Sequence, residues 1–178
     1  MIERVLENLR KSKEIEEIIV AVSDSTPKTA GLMRALGVEI IKTPGTGFCS
    51  DMNYAIKKRG ISSPVLVISA DLPLATGALI DEILAFYKNC GKPALTVAAR
   101  VDGYERLGMK PEYTFQAKGK HLVPVGINVI DGGRIEDPYM EEEVLVLKRV
   151  KPVLNVNTAD DVETVERLLA EQQEGLRA

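Results

Sequence analysis

The stretch VLVISADLPL, residues 65–74, decides the fold. Val65–Ile68 is the most apolar run of the chain. It is β-branched and closed by Ser69-Ala70-Asp71-Leu72-Pro73, which reads as a strand followed by a turn. A helix from about Thr76 to Lys88 follows. Outward from this unit, toward the N-terminus, the pattern recurs. Ile18–Val22 is another short β-branched run, of the kind that parallel sheets bury on both faces. Ser23-Asp24-Ser25-Thr26-Pro27 closes it. Pro27 suits a first helical turn, where its missing N–H costs nothing. That helix runs to about Leu36 and ends at Gly37. Val38–Ile41 reads as a strand, Pro44-Gly45-Thr46-Gly47 as a loop, and Ser50–Arg59 as a helix stopped by Gly60. Ile2, Val5, Leu6 and Leu9 recur at helical spacing ahead of them all. Such alternation predicts an α/β fold, mainly a parallel sheet with helices on both faces.

Beyond Pro93 the pattern loosens. Ala94–Val101 reads as a strand and Asp102–Pro111 as a loop. Tyr113–Gln116 and His121–Val125 read as a hairpin around Lys118-Gly119-Lys120. Gly126–Ile130, Val144–Leu147 and Val153–Val156 read as three further strands. Thr158 to about Gln173 is the last predicted helix, with Val162, Val165, Leu168 and Leu169 on one face. The whole chain, 1–178, is expected to form one domain.

Composition excludes several classes of function. The chain has 178 residues, 45% of them apolar, enough for a core without disulfide or metal staples. Its net charge is −3 and it has no basic run, which argues against a general nucleic-acid binder. No apolar stretch of about 18 residues exists to span a membrane. MIERVLENLRKSKE has no apolar segment of the signal-peptide kind, so a cytoplasmic location is expected. Cys49 and Cys90 lie far apart and read as buried or semi-buried thiols in a reducing compartment. With a single histidine, His121, the chain has no zinc site of ordinary type.

Ligands of open α/β sheets bind at the carboxyl ends of strands, so the residues there carry the chemistry. Asp71 ends the most apolar strand. It either stabilises the turn and caps the next helix, or holds a divalent cation such as magnesium, which takes one or two carboxylates with waters and phosphates. Gly45-Thr46-Gly47 precedes a helix. It is either a flexible turn or a place where backbone N–H groups meet a phosphate or a base edge. Asn155, Asn157 and Thr158 end the last predicted strand. Thr158 and Asp161 have the spacing of a capping box, and the same end faces the cleft. No GxSxG is present, Cys49 has no base near it in sequence, and Glu141–Glu143 reads as a solvated face.

IIVAVSDSTPKT (18–29), GTGFCSDMNYAI (45–56), VLVISADLPL (65–74), LVPVGINVI (122–130) and LNVNTADDVE (154–163) together resemble the nucleotidyltransferases of the sugar-nucleotide and molybdenum-cofactor guanylyltransferase superfamily. STPKT, the GTGF loop and LVPVGINV are most similar to its archaeal branch that acts on adenosylcobinamide phosphate. The resemblance implies a Rossmann-like fold with GTP across the strand ends. It implies Asp71 as a catalytic, metal-binding aspartate and Asn157 as a second ligand on the metal side. Gly45, Thr46 and Gly47, with Asp51 and Asn53, would lie near the guanine, and Pro124, Gly126 and Asn128 would meet the acceptor. The implied reaction is attack of an acceptor phosphate oxygen on the α-phosphorus of GTP, with magnesium as cofactor and pyrophosphate released. A corrinoid is the expected acceptor. A molybdenum-cofactor or sugar-phosphate acceptor, or a non-catalytic binding module, is the alternative reading. A homodimer is left open, and no nucleic acid or membrane segment is expected.

The superfamily opens with a strand and a Gly-rich phosphate loop of the kind ALxMAGGxGTRMG. This sequence opens at MIERVLENLRKSK, which resembles the helix after that loop. The first strand and phosphate loop are therefore expected to be missing, leaving a break in the sheet between residues 18–22 and 65–68. Weak GTP binding and little or no turnover are expected in turn, with Lys28 and Lys42 as the candidate remaining cations.

Overall fold

The computed structural model describes residues 1–175. Its elements are α1 (Ile2–Leu9), β1 (Ile19–Val22), α2 (Pro27–Ala35), β2 (Glu39–Lys42), α3 (Phe48–Arg59), β3 (Pro64–Ile68), α4 (Gly77–Cys90), β4 (Ala94–Arg100), α5 (Val101–Glu105), β5 (Phe115–Ala117), β6 (Lys120–Asp131), β7 (Glu142–Leu147) and α6 (Ala159–Gly175). Among the described residues no helix is long and apolar enough to cross a membrane.

The α/β fold expected from the alternation is the fold observed, and its strands form two sheets. β1 and β2 pair in parallel. The larger sheet runs in the order β3-β6-β4-β7, with β5 also on β6. β6 is antiparallel to both β3 and β4, and β7 is parallel to β4. So β3, β4 and β7 point the same way, and the insertion of β6 makes the sheet mixed. No ladder joins β1 to β3, which is where the sequence led us to expect a break. Ladder pairing on one edge only leaves β3 half-buried from Val65 to Ile68. β1, expected to be buried on both faces, buries only Val22 fully for the same reason.

The main core lies on one face of the larger sheet. Leu95, Val97 and Ala99 of β4 and Val123, Val125, Ile127 and Val129 of β6 point into it at the period of two that a pleated strand dictates. Val5 and Leu9 of α1, Ile80, Ile83 and Leu84 of α4, Tyr104 of α5, and Val165 and Leu168 of α6 cover that face. The small sheet has its own buried set, Val22, Ala30, Met33, Ile41 and Ile56.

Three local expectations fail for tertiary reasons. Val101, expected to end the strand, and Asp102–Glu105, expected to be loop because of Gly103, together form α5. A Cβ at Gly103 would meet Val150 Cγ2 at 2.3 Å, so glycine serves close packing there rather than a turn. Asp102 supports the turn by pairing with Arg106 one helical turn on. The two runs His121–Val125 and Gly126–Ile130 are one strand, β6. Residues 153–156 are not a strand. Lys151–Val153 is a 3₁₀ turn, and the chain then follows an extended course in which Val156 N–H donates to the Asp71 carbonyl at 3.1 Å. The buried Val153 and Leu154 made this segment look like a strand. Cys90 is half-buried as expected, but Cys49, on the outward side of the first turn of α3, is exposed.

Candidate active site

β3 and β5 share one edge of β6, because Ile130 pairs with both β3 and β4, and Leu122 with both β5 and β4. β3 leaves that edge after Ile68, and β5 joins it only at Leu122. Ser69 N–H still donates to the Gly126 carbonyl at 2.9 Å, and between there and Leu122 the stretch Val123–Val125 is left without a ladder partner on that side. There β6 also bulges, since Val125, Gly126 and Ile127 together face Val97 alone. A cavity of about 510 Å³ occupies the opening. Its walls include Ser69, Pro124, Gly126, Asn128, Asn155 and Asn157, with Phe48 at the start of α3 and the segment Met109–Tyr113 on the approach to β5.

Gly126 makes the floor possible. Its φ is +73°, a region that disfavours side chains. A Cβ there would lie 2.6 Å from Ser69 Oγ and 3.4 Å from Asn155 Nδ2. Gly126→Ala is expected to cost about 1–2 kcal/mol through backbone strain and crowding, and to close part of the cavity. Thermal unfolding reads the first effect, and ligand binding to the folded variant reads the second.

Asp71 stands beside this floor. Leu72 and Leu74, both buried in the main core, fix the backbone on its C-terminal side. Asn155 Nδ2 donates to Asp71 Oδ1 at 3.2 Å, across 84 positions of sequence. Burial holds the Asp71 carboxyl above its ordinary range, partly offset by hydrogen bonds from its own N–H and from Asn155. The simple capping role is not the one observed, because Thr76 caps α4, its Oγ1 accepting from Leu79 N–H at 3.3 Å.

Asn157 also lines the cavity. Its backbone N–H donates to Asp161 Oδ2 at 3.0 Å, beside that of Thr158 at 2.8 Å, while Asp161 N–H donates to Thr158 Oγ1. The capping box seen in the sequence is thus formed, and the asparagine side chain that reaches Asp71 is that of Asn155. Asp51 has a similar local duty. Its Oδ1 accepts from Gly45 N–H at 2.9 Å and Thr46 N–H at 3.2 Å, so these two donors are already engaged. Gly45, Thr46, Gly47, Asp51 and Asn53 are not in the cavity wall, which their segment enters only through Phe48.

Sequence reasoning passed over Tyr104. Its hydroxyl donates to the Val153 carbonyl at 3.0 Å, which ties α5 to the segment carrying Asn155. Burial, and then the negative charge of Asp71, push its phenol from 10.0 up to about 12. Between those values an unfolded chain loses the phenolic proton and the folded one keeps it. Stability should therefore fall by about 2–3 kcal/mol as pH rises through that window. Denaturant unfolding from pH 9 to 12 should show a shallower decline in Tyr104→Phe than in the parent.

Neither Lys28 nor Lys42 lies in the cavity wall, and Lys42 pairs with Asp24 at 2.7 Å. Among the described residues no three His, Cys, Asp or Glu side chains gather as a metal set. A single carboxylate flanked by amides fits magnesium, which usually keeps waters and takes substrate phosphates as its remaining ligands.

A strand-end carboxylate beside a cavity in an α/β sheet is where such folds commonly bind ligands, and the sequence match shows which class of enzyme this one is, a nucleotidyltransferase. The chain belongs to the MobA-like NTP transferase domain family, whose model matches residues 1–175. Among solved structures it is similar to a CMP:2-keto-3-deoxy-manno-octonic acid synthetase complexed with CTP, with a TM-score of 0.69 at 14% identity over 96% of this chain and 88% of that one. It is also similar to a 4-diphosphocytidyl-2C-methyl-D-erythritol synthase, with a TM-score of 0.66 at 13% identity over 94% and 89%. A cytidylyltransferase from Leptospira borgpetersenii gives a TM-score of 0.64 at 18% identity over 93% and 73%. At these identities the likeness is one of fold. A search of the curated proteins finds no match.

Proposed function

We propose that this nucleotidyltransferase moves a guanylyl group from GTP to a phosphorylated acceptor, adenosylcobinamide phosphate, and releases pyrophosphate. The observation that carries the site is the Asn155–Asp71 hydrogen bond beside the Gly126 floor. The choice of donor and acceptor rests on the resemblance of STPKT, the GTGF loop and LVPVGINV to the cobinamide branch.

In the reaction, an oxygen of the acceptor phosphate forms a bond to the α-phosphorus of GTP. The bond from that phosphorus to the bridging oxygen of the β-phosphate breaks, and pyrophosphate leaves with the electron pair. Little covalent chemistry falls to the protein, so positioning and charge decide the rate. Asp71, with the amide oxygen of Asn155 or Asn157, would hold a magnesium ion, which when bound neutralises phosphate charge. Asn155 orients the Asp71 carboxylate through its amide donor. Asn128 and Asn157 offer further amide donors and acceptors to whatever fills the cavity. Pro124, Met109 and Phe48 supply apolar wall suited to a bulky acceptor.

The solved structures named for CTP or cytidylyl products favour a second reading, with CTP as donor. Pyrophosphate release should be measured with GTP, CTP, ATP and UTP, each with magnesium and adenosylcobinamide phosphate. Release with GTP at least tenfold above the others supports the proposal. A preference for CTP, or turnover only with a sugar phosphate or molybdopterin acceptor, replaces it.

A further inference from the structure

The cavity is destined, on the proposed reading, for molecules rich in phosphate, yet its described wall holds very little positive charge. Lys110 is the one Lys, Arg or His among the described wall residues. The wall also carries two carboxylates, Glu112 and Asp161. Asp161 is engaged in capping α6. Behind the wall, Asn155 holds the Asp71 carboxylate, so a phosphate entering this space adds to the negative charge and must be met by a cation.

Lys110 is placed to supply it. Met109, immediately before it, is buried in the main core. Met109 N–H donates to the Tyr104 carbonyl at 3.1 Å, and Pro111 restricts the backbone that follows. The Lys110 stem therefore leaves an anchored position rather than a free loop. Its own side chain is exposed and makes no hydrogen bond or ion pair among the described residues. The same wall carries amide and hydroxyl groups, those of Asn155, Asn157, Asn128 and Ser69, of the kind that complete hydrogen bonding to phosphate oxygens that a lone ammonium leaves unmet.

We propose that Lys110 is the phosphate-binding cation of this cavity. The proposal rests on the reading of the cavity as a nucleotidyl-transfer site, and deepens it by assigning the charge that offsets Asp71. An ammonium–phosphate contact is a charge-assisted hydrogen bond, stronger than a neutral one and weakened by salt.

The test uses inorganic pyrophosphate as probe, with binding to the full chain measured by titration calorimetry at low salt, with and without magnesium. Lys110→Met should weaken binding about tenfold or more, and Lys110→Arg should keep it within about threefold. Lys148→Met, which removes the same charge outside the cavity wall, should change it less than twofold. Equal affinity of Lys110→Met and the parent overturns the proposal. So does an equal loss in Lys110→Met and Lys148→Met, which would show binding to net charge alone, and so does a parent that binds no pyrophosphate. If the Lys110 effect stands while no nucleotide supports transfer, the reaction reading fails and the phosphate site remains.

Discussion

Asp71→Asn is expected to lower nucleotidyl transfer by about 10²–10³-fold and to leave the fold intact. The size follows from the position of the group. A charge fixed beside a cavity acts where water is partly excluded, and removing one such element typically costs that factor in rate. The fold should survive because asparagine retains an oxygen to accept from Asn155 and alters nothing at Leu72 or Leu74. Burial holds the Asp71 carboxyl above its ordinary range. A carboxyl raised by folding weakens the folded state once it ionises, and that cost disappears as pH falls through the raised value. Asparagine carries no such cost. In chelator, at neutral pH, the variant should be at least as stable as the parent, and the difference should vanish in acid. Pyrophosphate release and denaturant unfolding on the same preparations separate the two effects. Transfer within threefold of the parent would remove Asp71 from the site.

Gly77→Val should be strongly destabilising, by about 3 kcal/mol. A Cβ at Gly77 would lie 2.7 Å from both the Lys11 carbonyl carbon and the Ser12 nitrogen, and 2.9 Å from the Asn8 carbonyl oxygen. All three are backbone atoms at the end of α1, so no side-chain rotation relieves the contact. α1 must draw away from α4, and Val5 and Leu9 move with it out of the core. The Ser12 hydroxyl and Lys13 N–H, which both donate to Asp81 on α4, lose their geometry in the same movement. For a chain of this length the expected fall in melting temperature is about 6–12 °C. Gly31→Ala in α2 is the contrast. Nothing lies within 4 Å of its added Cβ, so relief of helix-interior glycine should make it neutral or stabilising by up to about 1 kcal/mol. Similar losses at both positions would show that close approach of α1 is not what Gly77 provides.

Particular residues show where the sequence was legible. The units from α1 to α4 were read from apolar period, capping residues and helix-stopping glycines, all signals carried by neighbours within about four positions. Thr158 and Asp161 were read as a capping box, and they form one. Asp71 was singled out because a strand end in an α/β sheet faces a ligand crevice. Lys110 and Tyr104 gave no such signal, since the cavity wall that Lys110 joins and the Val153 carbonyl that Tyr104 reaches are assembled only by the packing of α5 and the approach to β5.

The amino-acid sequence by itself determined the class of fold, the order of most elements and the strand end that carries Asp71. Each depends on local periodicity or on a short contiguous pattern. The tertiary structure alone decided that β6 runs unbroken through Gly126 between β3 and β4, and that residues 153–156 pack as an irregular segment. It decided that Asn155 is the asparagine that reaches Asp71, and that Asp51 engages the amides of the Gly45 loop. The physical reason is separation along the chain. Asn155 and Asp71 are 84 residues apart, and Tyr104 and Val153 are 49 apart. Which side chains meet over such distances is set by how the sheets register and which edges they leave open, and no local pattern of residues encodes that.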